Sequence, residues 1–321
     1  MPTLPRVLAT RLMPDAVETR FRAEFDAVGN DADDALDAAA LADRARGCQG
    51  VICTPTEKMD AAAIAALPDS VEILATFSVG CDHIDLDAAK ARGLIVTNTP
   101  DVLTAATADI TILCLLGAAR LGQASEATLR EGRWGRWSPT FQLGVDLSGK
   151  RLGILGMGRI GQAVAKRAAG FDMTVFYHNR RKLDSSDEHG ATFCADAADM
   201  LRQSDFLAIT CPLTDETRHW LNAERIALLP DGAVVANTAR GPVVVDDDLI
   251  AALDSGKVFA VGLDVFDGEP KFDPRYLDRP NAFLLPHIGS ATVETRNAMG
   301  FRCLDNLAAH FAGHPLPSRV V

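Results

Sequence analysis

Residues Gly156-Met157-Gly158-Arg159-Ile160-Gly161 constrain this chain more than any others, because of what stands on either side of them. Arg151 to Leu155 read as a short buried strand, and Gln162 to Gly170 as an Ala-rich helix. A glycine turn between a strand and a helix start suits a dinucleotide pyrophosphate. The first glycine allows the tight turn, the second lets the backbone approach the phosphates, and the third lets helix and strand pack closely. Backbone N–H groups and the positive end of the helix dipole then hold the anion. The glycine spacing alone also fits a plain turn; the flanking strand and helix favour the nucleotide.

Met173 to Tyr177 read as the second strand of the unit. About 20 residues past the glycines, a site for NAD places a carboxylate on the ribose 2′-hydroxyl. Here the chain reads His178-Asn179-Arg180-Arg181-Lys182, and the next acid is Asp184. A guanidinium binds a 2′-phosphate through paired, charge-assisted hydrogen bonds, where a carboxylate would repel it. Asn179, Arg180 and Arg181 are therefore expected at the cofactor, with NADP(H) preferred and NAD(H) the alternative. A solvated basic turn is the plainer reading of such a run.

The 321 residues suit two domains, and 48% hydrophobic residues suffice for two cores. A net charge of −11 argues against nucleic acid as a partner. The seven cysteines form no C-x-x-C pair and no metal-finger spacing, so no metal site is expected. An odd, scattered set suits a reducing compartment, and no N-terminal apolar segment marks secretion, so a cytoplasmic location is expected. The apolar stretch around Ile110–Ala119 is too short to span a bilayer, so no membrane partner is expected.

Along the first hundred residues, strand-like runs at Val7–Ala9, Val51–Cys53, Ile73–Ala75 and Leu94–Val96 alternate with helical ones such as Arg20–Val28 and Asp60–Ala66. That rhythm predicts a parallel sheet with helices on both faces. One long helix is expected over Thr104–Arg130, then a turn-rich loop with Trp134 and Trp137. A second βα series follows the glycines, with strands at Phe206–Thr210, Ala233–Asn237 and Phe259–Leu263. Its helices fall at Ala223–Leu229 and Asp246–Asp254, and a last helix at Thr292–Phe311. The fold class is α/β, with two doubly wound parallel-sheet domains.

Five separated segments carry a family resemblance: Ser78–Asp85, Leu155–Gly161, Asn237-Thr238-Ala239-Arg240-Gly241, Asp264–Pro270 and Pro286-His287-Ile288-Gly289-Ser290. In these, over most of its length, the chain resembles the D-isomer-specific 2-hydroxyacid dehydrogenases. The resemblance implies a Rossmann nucleotide domain, residues 100–290, inserted into a flavodoxin-like catalytic domain of residues 1–99 plus 291–321, with the active site in the cleft. Within the family, the 178–182 run and the Trp-rich loop look like the NADPH-dependent glyoxylate/hydroxypyruvate reductases. It implies a homodimer in which Trp137 of the partner subunit reaches into the site, with Trp134 and Phe141 packed beside it.

Reducing a 2-keto acid needs a cation for its carboxylate, an acid for its carbonyl oxygen and a hydride on the opposite face. Arg240 ends a strand at the edge where open α/β sheets bind ligands, and it can clamp a carboxylate without losing its charge. His287 is the candidate acid/base, since imidazole exchanges a proton near neutral pH. A carboxylate beside it, Glu269 in the family pattern, favours the imidazolium that reduction needs. Val79 and Gly80 are expected to offer backbone N–H groups to the substrate carboxylate. The resemblance places Asp264 at the nicotinamide amide, Cys211 and Pro212 on the adenine side, and Thr217 at the pyrophosphate. It also places Thr238, Ala239 and Thr107 at the cofactor, and Asp109 among the cleft-facing helix positions. For Asp264 and Thr217 a simple cap is the plainer reading, and for Thr107 helix core. The expected activity is NADPH-dependent reduction of glyoxylate or hydroxypyruvate. NAD-dependent oxidation of another D-2-hydroxy acid is the neighbouring reading. A dinucleotide-sensing, corepressor-like binding module is the reading from another class. Gln would replace Glu269 in formate dehydrogenase, and phosphite oxidation has little to recommend it.

Overall fold

The computed structural model describes residues 4–321. The chain divides into two compact units, Met1–Leu103 with Ser290–Val321, and Thr104–Gly289. The first unit opens with β1 (Arg6–Ala9), α1 (Asp15–Glu24), β2 (Asp26–Val28), α2 (Ala38–Arg44) and β3 (Gly50–Cys53). It continues with α3 (Ala61–Ala66), β4 (Ile73–Thr76), α4 (Leu86–Arg92) and β5 (Ile95–Thr97). Its sheet is parallel, in the order β2-β1-β3-β4-β5. Strand order reverses between β1 and β3, the switch point of a doubly wound sheet. Short polar side chains start α2, α3 and α4. Asp37, Asp60 and Asp85 each accept a backbone N–H of the first turn, at 2.8, 3.0 and 2.9 Å.

The second unit begins with α5 (Thr104–Ala119) and α6 (Gly122–Arg130). Then come β6 (Arg151–Leu155), α7 (Arg159–Ala168), β7 (Thr174–His178), β8 (Thr192–Phe193), α8 (Ala197–Arg202) and β9 (Phe206–Ile209). It closes with α9 (Ala223–Leu228), β10 (Ala233–Asn237), α10 (Asp246–Ser255), β11 (Val258–Leu263) and β12 (Ala282–Leu284). The seven strands are parallel in the order β12-β11-β10-β9-β6-β7-β8, with the switch point between β6 and β9. The central strands are buried along their length, as a parallel sheet covered on both faces requires. A final helix, α11 (Val293–Phe311), belongs to the first unit and packs on α1 and β4 there.

Two expected helices differ from those observed. The helix expected over Arg20–Val28 ends at Glu24, and Asp26–Val28 is an edge strand paired with β1. The helix expected over Thr104–Arg130 is two helices bent by 68° at Arg120–Leu121, where Leu121 takes a positive φ of 51°. The break has a local cause. Val145 N–H donates to Ala119 O at 2.9 Å, and a Cβ on Gly144 would fall 2.3 Å from that oxygen, so a returning segment presses on the helix end. Among the described residues, no single helix is long and apolar enough to cross a membrane.

Candidate active site

The glycine turn leaves β6 at the switch point of the second sheet. Gly156 has φ +94°, and a Cβ there would lie 2.6 Å from the Cys211 backbone, which follows β9. Gly161 is equally closed, with Gly156 O at 2.4 Å from its would-be Cβ. Gly158 is the opposite case: nothing lies within 4 Å, and it caps the open end of α7. Gly158 and Arg159 are exposed, Ile160 is half-buried. This is a fit for a pyrophosphate, with closed glycines shaping the turn and an open one at the helix N-terminus. Asn179 holds the turn by accepting the Met157 N–H at 2.7 Å. Thr210 adds a hydroxyl to Gly156 O at 2.8 Å.

Past Asn179, the loop is anchored from below. Leu183 N–H donates to Tyr177 Oη at 3.0 Å, and Tyr177 donates to Glu188 at 2.8 Å. Arg180 and Arg181 are exposed, and neither makes an ion pair or side-chain hydrogen bond among the described residues. Two exposed arginines thus follow Asn179, the residue that holds the glycine turn. Cys211 is buried beneath the turn, and burial pushes its thiol up to about 11. Pro212 is exposed. Thr217 closes its own loop, donating to Pro212 O at 2.7 Å and accepting from Thr214 N at 2.8 Å.

Three loops converge at the ends of β10 and β11. Asn237, fully buried, shapes the first: its Oδ1 accepts from Ala239 N at 3.0 Å and its Nδ2 donates to Arg240 O at 2.9 Å. Thr238 and Ala239 are buried, and Thr238 shares a 2.7 Å hydroxyl bond with Thr111 of α5. A Cβ on Gly241 would fall 1.8 Å from the carbonyl carbon of Phe266, so the Arg240 loop lies directly on the loop carrying Glu269. Glu269 Oε1 accepts from Phe266 N at 2.7 Å, and Oε2 meets His287 Nδ1 at 2.7 Å. Burial opposes ionisation of Glu269. The hydrogen bond and charge of His287, the Phe266 N–H and the charge of Arg240 outweigh it, and the carboxyl lies below its ordinary range.

Asp264 is the residue whose part sequence reasoning missed. It caps no helix. Its two oxygens accept from Ile288 N and Gly289 N, both at 2.7 Å, which anchors the loop on the far side of His287. His287 has a positive φ of 53°, a conformation that needs such restraint. Burial raises the Asp264 carboxyl, against those two N–H bonds and the charge of His287. Thr107 packs beside the same loop: a Cβ on Gly289 would be 3.4 Å from its Cγ2. Asp109 pairs instead with Arg167 on α7, at 2.5 Å.

In the first unit, the loop after β4 has its carbonyls engaged. Ser78 O accepts from Thr99 N at 2.9 Å, Val79 O from Asn98 Nδ2 at 2.9 Å, and Gly80 O from Ser78 Oγ at 2.6 Å. The N–H groups of Val79 and Gly80 meet no acceptor among the described residues, and both residues are half-buried. This is the pattern of a backbone cradle for an anion. In the second unit Trp134, Trp137 and Phe141 are 54%, 76% and 44% exposed, beside exposed Leu129 and Leu143.

The family model for the D-isomer specific 2-hydroxyacid dehydrogenase NAD binding domain matches residues 112–289. A glycerate dehydrogenase from Hyphomicrobium methylovorum is 40% identical over 310 residues, covering 96% of each chain. A glyoxylate reductase from Thermococcus onnurineus is 38% identical over 321 residues, 98% of this chain and 96% of that one. Among solved structures, an NADPH-dependent glyoxylate/hydroxypyruvate reductase from Sinorhizobium meliloti, in complex with NADP and malonate, superposes with a TM-score of 0.88. It is 35% identical, covering 99% of this chain and 97% of that one. With two parallel-sheet units, a dinucleotide turn and an Arg, Glu and His set on neighbouring loops, the chain belongs to the D-isomer specific 2-hydroxyacid dehydrogenases, oxidoreductases that work with a nicotinamide dinucleotide.

Proposed function

We propose that this chain reduces small 2-keto acids, glyoxylate and hydroxypyruvate, to 2-hydroxy acids, with NADPH as the preferred reductant. The observation that carries this reading is the 2.7 Å bond between His287 Nδ1 and Glu269, in the unit that also carries Arg240 and the glycine turn. When bound, the reduced nicotinamide supplies a hydride to the carbonyl carbon. A carboxylate only accepts hydrogen bonds, so Glu269 requires a proton on Nδ1. That leaves Nε2 to give its proton to the carbonyl oxygen in reduction and to take one in oxidation. Arg240 holds the substrate carboxylate through paired N–H groups. The unengaged N–H groups of Val79 and Gly80 are assigned to a substrate carboxylate as well.

For the cofactor, Gly156, Gly158, Arg159, Ile160 and Gly161 are assigned to the pyrophosphate, and Cys211 and Pro212 to the adenine side. Thr238, Ala239, Asp264 and Thr107 are assigned to the nicotinamide side. Arg180 and Arg181 are assigned to the 2′-phosphate, and their lack of a carboxylate partner among the described residues supports NADPH over NADH. Asn179 acts on the cofactor through the turn it holds. The hydroxyl of Thr217 is engaged within its own loop, which supports a backbone contact at most. The exposed Trp134, Trp137 and Phe141 support a homodimer in which the partner subunit's Trp137 completes the site. Loss of NADPH absorbance on adding glyoxylate tests the reading. Absence of turnover across a panel of 2-keto acids would overturn it and restore the binding-module alternative.

A further inference from the structure

The loop after β7 carries the two arginines assigned to the 2′-phosphate, and it is fastened at both ends. Strand β7 ends at His178, in register with Leu155 of β6, and Gly156 N donates to His178 O at 3.1 Å. Asn179 then meets the glycine turn with both ends of its amide. Its Oδ1 accepts from Met157 N at 2.7 Å, and its Nδ2 donates to Met157 O at 3.4 Å. Three exposed cations follow, Arg180, Arg181 and Lys182. Adjacent like charges repel and favour an open span. Leu183 closes it: the residue is half-buried against the core that contains Tyr177, and its N–H donates to Tyr177 Oη at 3.0 Å.

Tyr177 is fully buried, its ring centroid 5.3 Å from that of Phe193, its register partner on β8. A tyrosine hydroxyl has a single proton, and a carboxylate only accepts. The proton therefore goes to Glu188 Oε1, at 2.8 Å, and a lone pair receives the Leu183 N–H. One hydroxyl so ties both the near end and the far end of the loop to the strand beneath it. Glu188 is itself held, since Ala191 N donates to its carbonyl at 2.8 Å just before β8. The Glu188 carboxylate also stands 3.8 Å from Lys182 Nζ, so it engages the third cation of the run. Arg180 and Arg181 make no ion pair or side-chain hydrogen bond among the described residues.

We infer that Tyr177, through its hydroxyl, is a positioning residue for cofactor choice: with Glu188 it presets the Arg180–Arg181 span for a 2′-phosphate. This rests on the NADPH reading above and deepens it. A span pinned at both ends loses less freedom when it binds, and affinity gains by the ordering cost avoided. NADH carries a hydroxyl in place of the 2′-phosphate and offers the two guanidiniums no anion there, so the fastening acts on one cofactor and not the other. Being fully buried, Tyr177 acts through the loop and not by contact.

The test pairs binding with kinetics on the full chain. Adenosine 2′,5′-bisphosphate and adenosine 5′-monophosphate differ by the 2′-phosphate alone, and calorimetry gives Kd for each. Tyr177→Phe keeps the ring and removes both hydroxyl bonds. Its preference for the bisphosphate is expected to fall about 3- to 10-fold, with binding of the monophosphate unchanged, which also reports that the variant folds. In glyoxylate reduction the same variant should raise KM for NADPH by that factor and leave kcat, and KM for NADH, as in the wild type. Glu188→Gln retains an oxygen that accepts the tyrosine proton and should keep the wild-type binding ratio. Glu188→Ala removes it and should follow Tyr177→Phe. An unchanged ratio in Tyr177→Phe, in a wild type that favours the bisphosphate, would overturn the inference and leave the NADPH reading standing. Equal losses for both nucleotides in Tyr177→Phe and Glu188→Ala would also overturn it, since they report a structural role alone. A wild type that binds both nucleotides alike would overturn the NADPH reading, and the inference with it.

Discussion

A single hydrogen bond at 2.7 Å, between Glu269 and His287, fixes which imidazole nitrogen is available. His287→Asn removes the proton donor and is expected to lower kcat on the order of 10²- to 10⁴-fold, with little change in KM for NADPH. Steady-state kinetics checks this; a kcat within tenfold of wild type would assign the proton to another group. Glu269 gives the fold a pH dependence of its own. The Glu269 carboxyl is held below its usual range when folded, so its contribution is complete above that range and is lost as pH falls through the depressed value. At the cofactor end, Arg180→Asp puts a carboxylate where a 2′-phosphate is expected. The ratio of kcat/KM for NADPH over NADH should fall about 10- to 100-fold, the worth of one charge-assisted hydrogen bond lost.

Loops after strands position these residues, and their closeness has a testable cost. Gly241→Ala places a Cβ 1.8 Å from Phe266 C, so the Arg240 and Glu269 loops must separate. Denaturant unfolding should show a loss on the order of 1–3 kcal/mol, and glyoxylate turnover should fall further than stability alone accounts for. How much of this was legible in the sequence follows from how local each signal is. The glycine turn and the Arg240 and His287 segments are short runs, each bracketed by its own strand or helix, and they could be read directly. The bend at Leu121 was hidden, because the segment that forces it returns from Gly144–Val145. Strands β2, β8 and β12, of two or three residues, are too short to show a pattern. The anchoring by Asp264 was invisible, since its partners lie 24 and 25 residues away. Asn237 left a faint trace: an Asn two residues before a turn often bonds the backbone ahead of it.

Across the whole molecule, the two units each carry one switch point, and the glycine turn leaves β6 at that of the second unit. The exposed aromatic and leucine side chains between Leu129 and Leu143 suit a second copy of the chain. Sedimentation should report a dimer, and Leu129→Asp should shift it towards monomer; a monomeric wild type would remove the part assigned to the partner subunit's Trp137. If the chain passes a hydride and a proton to a short oxo acid and prefers the phosphorylated dinucleotide, kcat/KM for glyoxylate, measured with NADPH and NADH side by side, will show turnover with both and at least about a tenfold advantage for NADPH; no turnover, or an advantage for NADH, would refute the proposed function.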